Sequence, residues 1–276
     1  MIKNNILFRT LIVFLLLLAS VTLLSQEKTK KTDSPPVEGQ AGKNVPWITT
    51  PQILVDKMLD LAKITPEDFL IDLGSGDGRT VITAAKRGTR ALGVEYNPGL
   101  VKLSIENAEK EGVTKMTQFV EADIFEFDFS KATVISMFLL PEINMKLRPK
   151  LLDMKPGTRI VTNTFTMQEW HYDAVVRTGD QSNRWNTAYL WIVPAKVEGK
   201  WTLSSGGELT FVQQFQMLTG RIKAGGKDLP ITEGRLRGNE ITFKVGADMY
   251  EGKIAGKKME GTFTSGAKAG KWSASR

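Results

Sequence analysis

Residues Phe69-Leu70-Ile71-Asp72-Leu73 form an apolar run that passes straight into Gly74-Ser75-Gly76-Asp77-Gly78, with a helix-compatible segment, Thr80 to Arg87, behind it. Glycine at every second position lets backbone lie against a ligand that a Cβ would push away. The helix after such a turn offers unpaired N–H groups and the positive end of its dipole. Strand, glycine turn and helix in that order describe the first unit of a parallel sheet that holds a nucleotide-like ligand at the carboxyl end of its first strand. The spacing narrows the choice. A dinucleotide fingerprint needs G-x-G-x-x-G, and Arg79 stands where its third glycine would fall. A Walker-type phosphate loop needs Gly-Lys-Ser/Thr at its end, and this turn ends Asp77-Gly78-Arg79.

Two acids extend the pattern. Arg90 to Glu95 reads as a second strand ending in a carboxylate, Glu95. An acid about 20 residues past the first strand is placed to accept both hydroxyls of a ribose. Thr117 to Glu121 reads as a third strand, followed by Asp123 and Ile124. The run Asp72-x-Gly74-x-Gly76-x-Gly78, with Glu95 and Asp123 after it, resembles motif I and its companions in class I S-adenosylmethionine (SAM) methyltransferases. The resemblance implies SAM as cofactor, with Glu95 on the ribose, Asp123 accepting from the adenine amine and Ile124 covering a ring face. It also implies the fold: an α/β, Rossmann-like methyltransferase sheet with helices on both faces.

The rest of the core agrees. Ala132 to Leu140 is a nearly unbroken apolar run, as a central strand buried on both faces should be, and Pro141 stops it. Ile143 to Met154 reads as a helix with Leu147, Leu151 and Met154 on one side. Lys155-Pro156-Gly157 then turns the chain into a fifth strand, Thr158 to Asn163. The resemblance sharpens at Val45-Pro46-Trp47-Ile48-Thr49-Thr50-Pro51, at Phe138-Leu139-Leu140-Pro141-Glu142-Ile143-Asn144 and at Lys155-Pro156-Gly157-Thr158-Arg159. These segments are similar to the lysine methyltransferases of the mitochondrial ATP-synthase c-subunit and their bacterial relatives, over roughly residues 45 to 193. By that resemblance Trp47, Thr49, Thr50 and Pro51 close the methionine end of SAM. Asp72, Gly74, Gly76 and Asp77 line its amino-acid part, and Ser75, Gly78, Asn97 and Leu139 complete the set. A plain helix start, capped by Thr50 with Pro51 in the first turn, is compatible with this role.

Methyl transfer chiefly requires that nucleophile and methyl group be aligned. The Asn/Asp-Pro-Pro-Tyr tetrapeptide of many amino-methylating relatives is replaced here by Leu140-Pro141-Glu142-Ile143-Asn144, which argues against DNA-base and glutamine acceptors. Glu142 is the candidate for orienting or deprotonating a substrate amine; equally, an acid in a first helical turn favours the helix dipole. Trp170 is placed to form part of a substrate wall. The single histidine, His171, reads as structural. With no cysteine and no His cluster of zinc spacing, no metal is expected. The acceptor expected from the resemblance is a protein lysine, with a small molecule, or a non-catalytic binding role, as alternatives.

Four segments are expected: residues 1–25, 26–44, 45–194 and 195–276. Lys3 and Arg9 precede an apolar stretch reaching Leu24, which reads as a signal peptide or as a membrane anchor over residues 6–25, and so as envelope localisation on either side. Residues 26–44, polar with Ser34-Pro35-Pro36, read as a flexible linker. From Lys196 onward alternating strands are broken by turns such as Gly225-Gly226-Lys227-Asp228, predicting an antiparallel meander or small barrel. That module carries 14 Lys/Arg against 8 Asp/Glu. The basic residues are dispersed, as on a solvated sheet, so nucleic acid is not an expected partner. Trp201 and Trp272 are assigned to its packing.

Overall fold

The computed structural model describes residues 36–43, 46–180 and 182–276. The apolar segment expected to be a signal or anchor lies outside them. Among the described residues no helix is long and apolar enough to cross a membrane.

After helix α1 (Gln52–Ala62) the chain alternates β1 (Phe69–Leu73), α2 (Arg79–Lys86), β2 (Arg90–Glu95), α3 (Pro98–Lys110), β3 (Thr117–Glu121), β4 (Val134–Met137), α4 (Pro141–Leu152), β5 (Arg159–Asn163), β6 (Ala174–Arg177) and β7 (Thr187–Ile192). The strands form one sheet in the order β3-β2-β1-β4-β5-β7-β6. β1 to β5 run parallel and β7 returns antiparallel between β5 and β6. Alternation along each strand feeds two cores. Leu70, Val134 and Val161 pack with Leu54, Met58 and Val81 of α1 and α2. Ile71, Ile135, Met137 and Ile160 pack on the other side with Leu147 and Leu151 of α4. Covering both faces is what makes these strands uniformly apolar.

The remaining strands, β8 (Gly199–Leu203), β9 (Glu208–Gln214), β10 (Met217–Ala224), β11 (Lys227–Arg237), β12 (Glu240–Val245), β13 (Asp248–Ala255), β14 (Lys258–Ser265) and β15 (Lys268–Ser275), close into an antiparallel barrel. Ala274 and Ser275 of β15 pair with Leu203 and Thr202 of β8 and remove the last edge. Trp201 and Trp272 are buried in its core with Phe211 and Phe243, in the packing role assigned from sequence. The barrel is docked on the sheet domain. Ala195 N–H donates to Gly238 O at 2.8 Å, Gln216 Nε2 donates to His171 O at 2.6 Å, and Arg235 pairs with Asp173 at 2.7 Å. Phe215, in the β9–β10 turn, stacks on Trp170.

Three expectations change. Trp170 is fully buried and belongs to the core beside Met167 and Trp191, so it forms no substrate wall. It is hidden because the barrel supplies Phe215 to cover it. Helix α1 begins at Gln52, with Pro51 rather than Thr50 at the cap position and no side-chain cap; Thr50 Oγ1 is taken instead by Asn163 Nδ2 at 3.2 Å. Finally, residues 36–43, assigned by composition to the linker, are laid back on the fold. Gly39 N–H donates to Trp47 O at 2.7 Å and Trp47 N–H to Gln40 O at 3.0 Å, while Glu38 accepts from both the amide and the hydroxyl of Thr49.

Candidate functional site

The site lies at the carboxyl ends of β1, β2 and β4, where the sheet changes direction and loops diverge. The turn after β1 is held from two sides. Gly74 and Ser75 donate to Val94 O at 2.8 and 3.1 Å, while Ser104 and Asn107 of α3 donate to Gly76 O and Asp77 O at 2.8 and 3.0 Å. The third glycine has a packing reason. A Cβ on Gly78 would stand 2.8 Å from Phe119 and 3.0 Å from Ser104, so α3 and β3 can close only on a residue without one.

Two chambers flank this turn. The larger, about 370 Å³, is walled by Gly74, Glu95, Tyr96, Asn97, Asp123, Ile124, Leu139 and the strap residues Gln40 to Lys43. The smaller, about 40 Å³, is walled by Thr49, Thr50, Asp72, Ser75, Gly76, Asp77 and Arg79. Trp47, Ile48, Gly74 and Phe138 line both. Of the site residues expected from sequence, only Pro51, Gly78 and Glu142 line neither chamber. Glu142 is exposed on the first turn of α4, while its neighbour Ile143 faces the larger cavity. His171 lies at the joint with the barrel beside Phe215 and Gln216.

The carboxylates differ in state. Asp72 is buried, and that burial pushes its pKa up to about 7 against the opposing effect of the Ser136 hydroxyl, which donates to it at 2.6 Å; the charges of Asp77 and Glu95 add to the rise. Asp123 is held below the usual carboxylate range by Lys43, which donates to it at 2.7 Å, and by the Phe125 amide at 2.9 Å. Glu95 uses one oxygen for Gly76 N–H (3.1 Å) and the other for Asn97 N–H (2.9 Å). Asp77 is clamped by Arg79, whose far nitrogen also donates to Thr50 O at 2.8 Å and so ties the segment before α1 to the turn. Sequence reasoning missed Gln40 to Lys43 and Phe138. The strap's polarity hid the first, and Phe138 was read as part of a buried strand that in fact ends at Met137.

This strand order, with a glycine turn after β1 and acids after β2 and β3, defines a class I SAM-dependent methyltransferase. The chambers fit that cofactor: a turn with glycine at alternate positions, a carboxylate at the end of the second strand, and an acid beside an apolar wall after the third. Residues 72–174 match the family model described as the ANTKMT methyltransferase domain. A protein-lysine N-methyltransferase of Saccharolobus islandicus is 42% identical over 153 residues, 54% of this chain and 94% of that protein. The human ATP synthase C-subunit lysine N-methyltransferase is 37% identical over 111 residues, 40% of this chain and 48% of that protein, so the match spans about half its length. A crystal structure of an RNA methyltransferase from Salinibacter ruber with S-adenosyl-L-homocysteine (SAH) is 43% identical, covers 54% of this chain and 96% of that one, and superposes with a TM-score of 0.51. The chain belongs to the methyltransferase family of its Saccharolobus islandicus relative. SAM is its cofactor.

Proposed function

We propose that this protein methylates the ε-amine of lysine in an acceptor protein, with the adenosine part of SAM in the larger chamber and the methionine part in the smaller. The observation that carries the cofactor's placement is the pair of carboxylates beside the glycine turn: Glu95, anchored by Gly76 and Asn97 amides, and the buried Asp72. Glu95 is assigned to the ribose hydroxyls and Asp123 with Ile124 to the adenine. Asp72, Gly74 and Gly76 are assigned to the amino-acid end, with Trp47, Thr49 and Thr50 closing it. When bound, SAM would supply an electrophilic sulfonium methyl group for the acceptor's amine, leaving S-adenosylhomocysteine and a proton released to solvent.

The names of the relatives diverge, lysine in two and RNA in the third. Charge supports protein here. Residues 45–194 hold 17 Lys/Arg against 19 Asp/Glu, which is no footprint for a polyanion. Incubation of the full chain with methyl-tritiated SAM and separated protein and RNA fractions of the host cell tests the reading. Labelled methyl-lysine in protein hydrolysates is the expected outcome; label confined to RNA or to small molecules overturns it. The apolar N-terminal segment adds a second proposal, attachment to a membrane, checked by carbonate extraction of cell envelopes.

A further inference from the structure

Phe138 has an unusual place. It follows the last residue of β4 and lines both chambers, so it stands where they meet. Its ring does not end the aromatic surface. Phe165 stacks beside it (centroids 6.2 Å apart, planes at 20°), and Trp185 meets Phe138 edge-on at 5.1 Å and leans tilted against Phe165 at 5.9 Å. All three are only half-buried, and none belongs to the hydrophobic clusters of the described residues. Three large rings grouped outside any core, against the wall of a ligand cavity, are not explained by packing.

The segments presenting them are built. Thr164 takes a left-handed conformation (φ 61) that turns Phe165 away from the end of β5, and Thr162 Oγ1 donates to Phe165 O at 2.7 Å. Strain of this kind in a threonine persists only where surrounding structure holds it. The amide of Trp185 is fixed by Asn183 Oδ1 at 2.9 Å. One of the rings already carries a cation: the Arg184 guanidinium lies 5.3 Å from the Trp185 ring centroid.

We infer that Phe138, Phe165 and Trp185 form the seat of the acceptor's ammonium-bearing side chain, delivering it to the junction of the two chambers. Ring faces attract ammonium groups through their quadrupole and accept an alkyl stem equally well. The same faces favour the positive charge that passes from sulfur to nitrogen during transfer. The inference rests on the lysine reading above and assigns that reading its substrate-side residues.

Calorimetric titration of the full chain tests it without turnover. Three ligands are compared: SAH, an SAH analogue whose sulfur is replaced by a tertiary amine bearing a four-carbon chain ending in an ammonium, and the same analogue with a neutral four-carbon chain. The expected result is that the ammonium analogue binds about tenfold tighter than the neutral one. That advantage disappears in Phe165→Leu/Trp185→Leu, whose SAH affinity stays unchanged and reports that the variant is folded. An advantage that survives the double substitution overturns the assignment, as does a neutral chain that binds as well as the charged one. Wild-type protein that fails to bind SAH takes down the cofactor placement and the seat together, a result distinct from the other two.

Discussion

The hydroxyl of Ser136 on β4 donates to Asp72 Oδ1 on β1 at 2.6 Å, beneath the glycine turn and away from solvent. Hydrogen bonding from Ser136 and Thr80 does not offset burial, and Asp72 keeps its proton up to about pH 7 instead of near 3.8. In the unfolded chain it ionises at the lower value, so between the two the folded state holds more protons. The contribution to stability is therefore complete below about pH 4 and is lost as pH rises through about 7, with a slope approaching about 1.4 kcal/mol per pH unit. Urea unfolding at several pH values should show this decline in the wild type, and Asp72→Asn should flatten it. Matching pH profiles for the two proteins would mean that Asp72 ionises freely in the fold.

Gly76 sits at φ 56, and a Cβ built on it would stand 2.7 Å from Trp47 Nε1. Alanine there meets two penalties, the left-handed backbone, of about 1–2 kcal/mol, and displacement of the indole that lines both chambers. Gly76→Ala should weaken SAH binding in calorimetry by about tenfold or more, through that displacement. Combining it with Trp47→Ala separates the causes: if the indole transmits the effect, the glycine substitution costs little further affinity in the double variant. Equal losses in both backgrounds would place the damage in the turn alone.

The sheet was legible because strands covered on both faces must be apolar throughout, and because alternate glycines leave few conformations for the residues after Leu73. The strap was not legible. Val37-Glu38-Gly39-Gln40 has a linker's composition, and its order comes from backbone pairing with Trp47 and from Glu38 on Thr49, contacts that no local pattern announces. Glu142 shows the limit in the other direction. Its residue type suits amine chemistry, but the phase of α4 turns it to solvent while Ile143 meets the cavity. Barrel strands were visible as alternation, but their closure depends on two residue pairs at the chain's far end.

Glu95 spends both oxygens on backbone amides of Gly76 and Asn97. Fixed this way, it is preorganised to accept ribose hydroxyls without reorienting. Glu95→Ala should weaken SAH binding by about 1.5–3 kcal/mol, the range for hydrogen bonds to a charged group. Glu95→Gln should recover part of it, since the amide oxygen can still accept. An alanine variant with wild-type affinity, measured by calorimetry, would return Glu95 to a purely structural role at the strand end.

The barrel is not a passenger on the sheet domain. Phe215 lies 6.2 Å from Trp170 with planes at 15°, and the Arg148 guanidinium of α4 lies 5.2 Å from the Phe215 ring. Trp170 in turn is packed with Trp191 of β7, whose Nε1 donates to Trp170 O at 2.7 Å. A ring from the barrel thus completes the core on the α4 side of the sheet. Because Phe215 is half-buried, Phe215→Ala should lower stability by about 2–3 kcal/mol, below the range for a fully buried phenylalanine. Tryptophan fluorescence during urea unfolding reads the loss, and SAH affinity at low urea should stay as in the wild type. A chain ending at residue 194 exposes Trp170 outright and should unfold at lower urea than the point variant. A truncated chain as stable as the full one would show that the barrel rests on the sheet domain without supporting it.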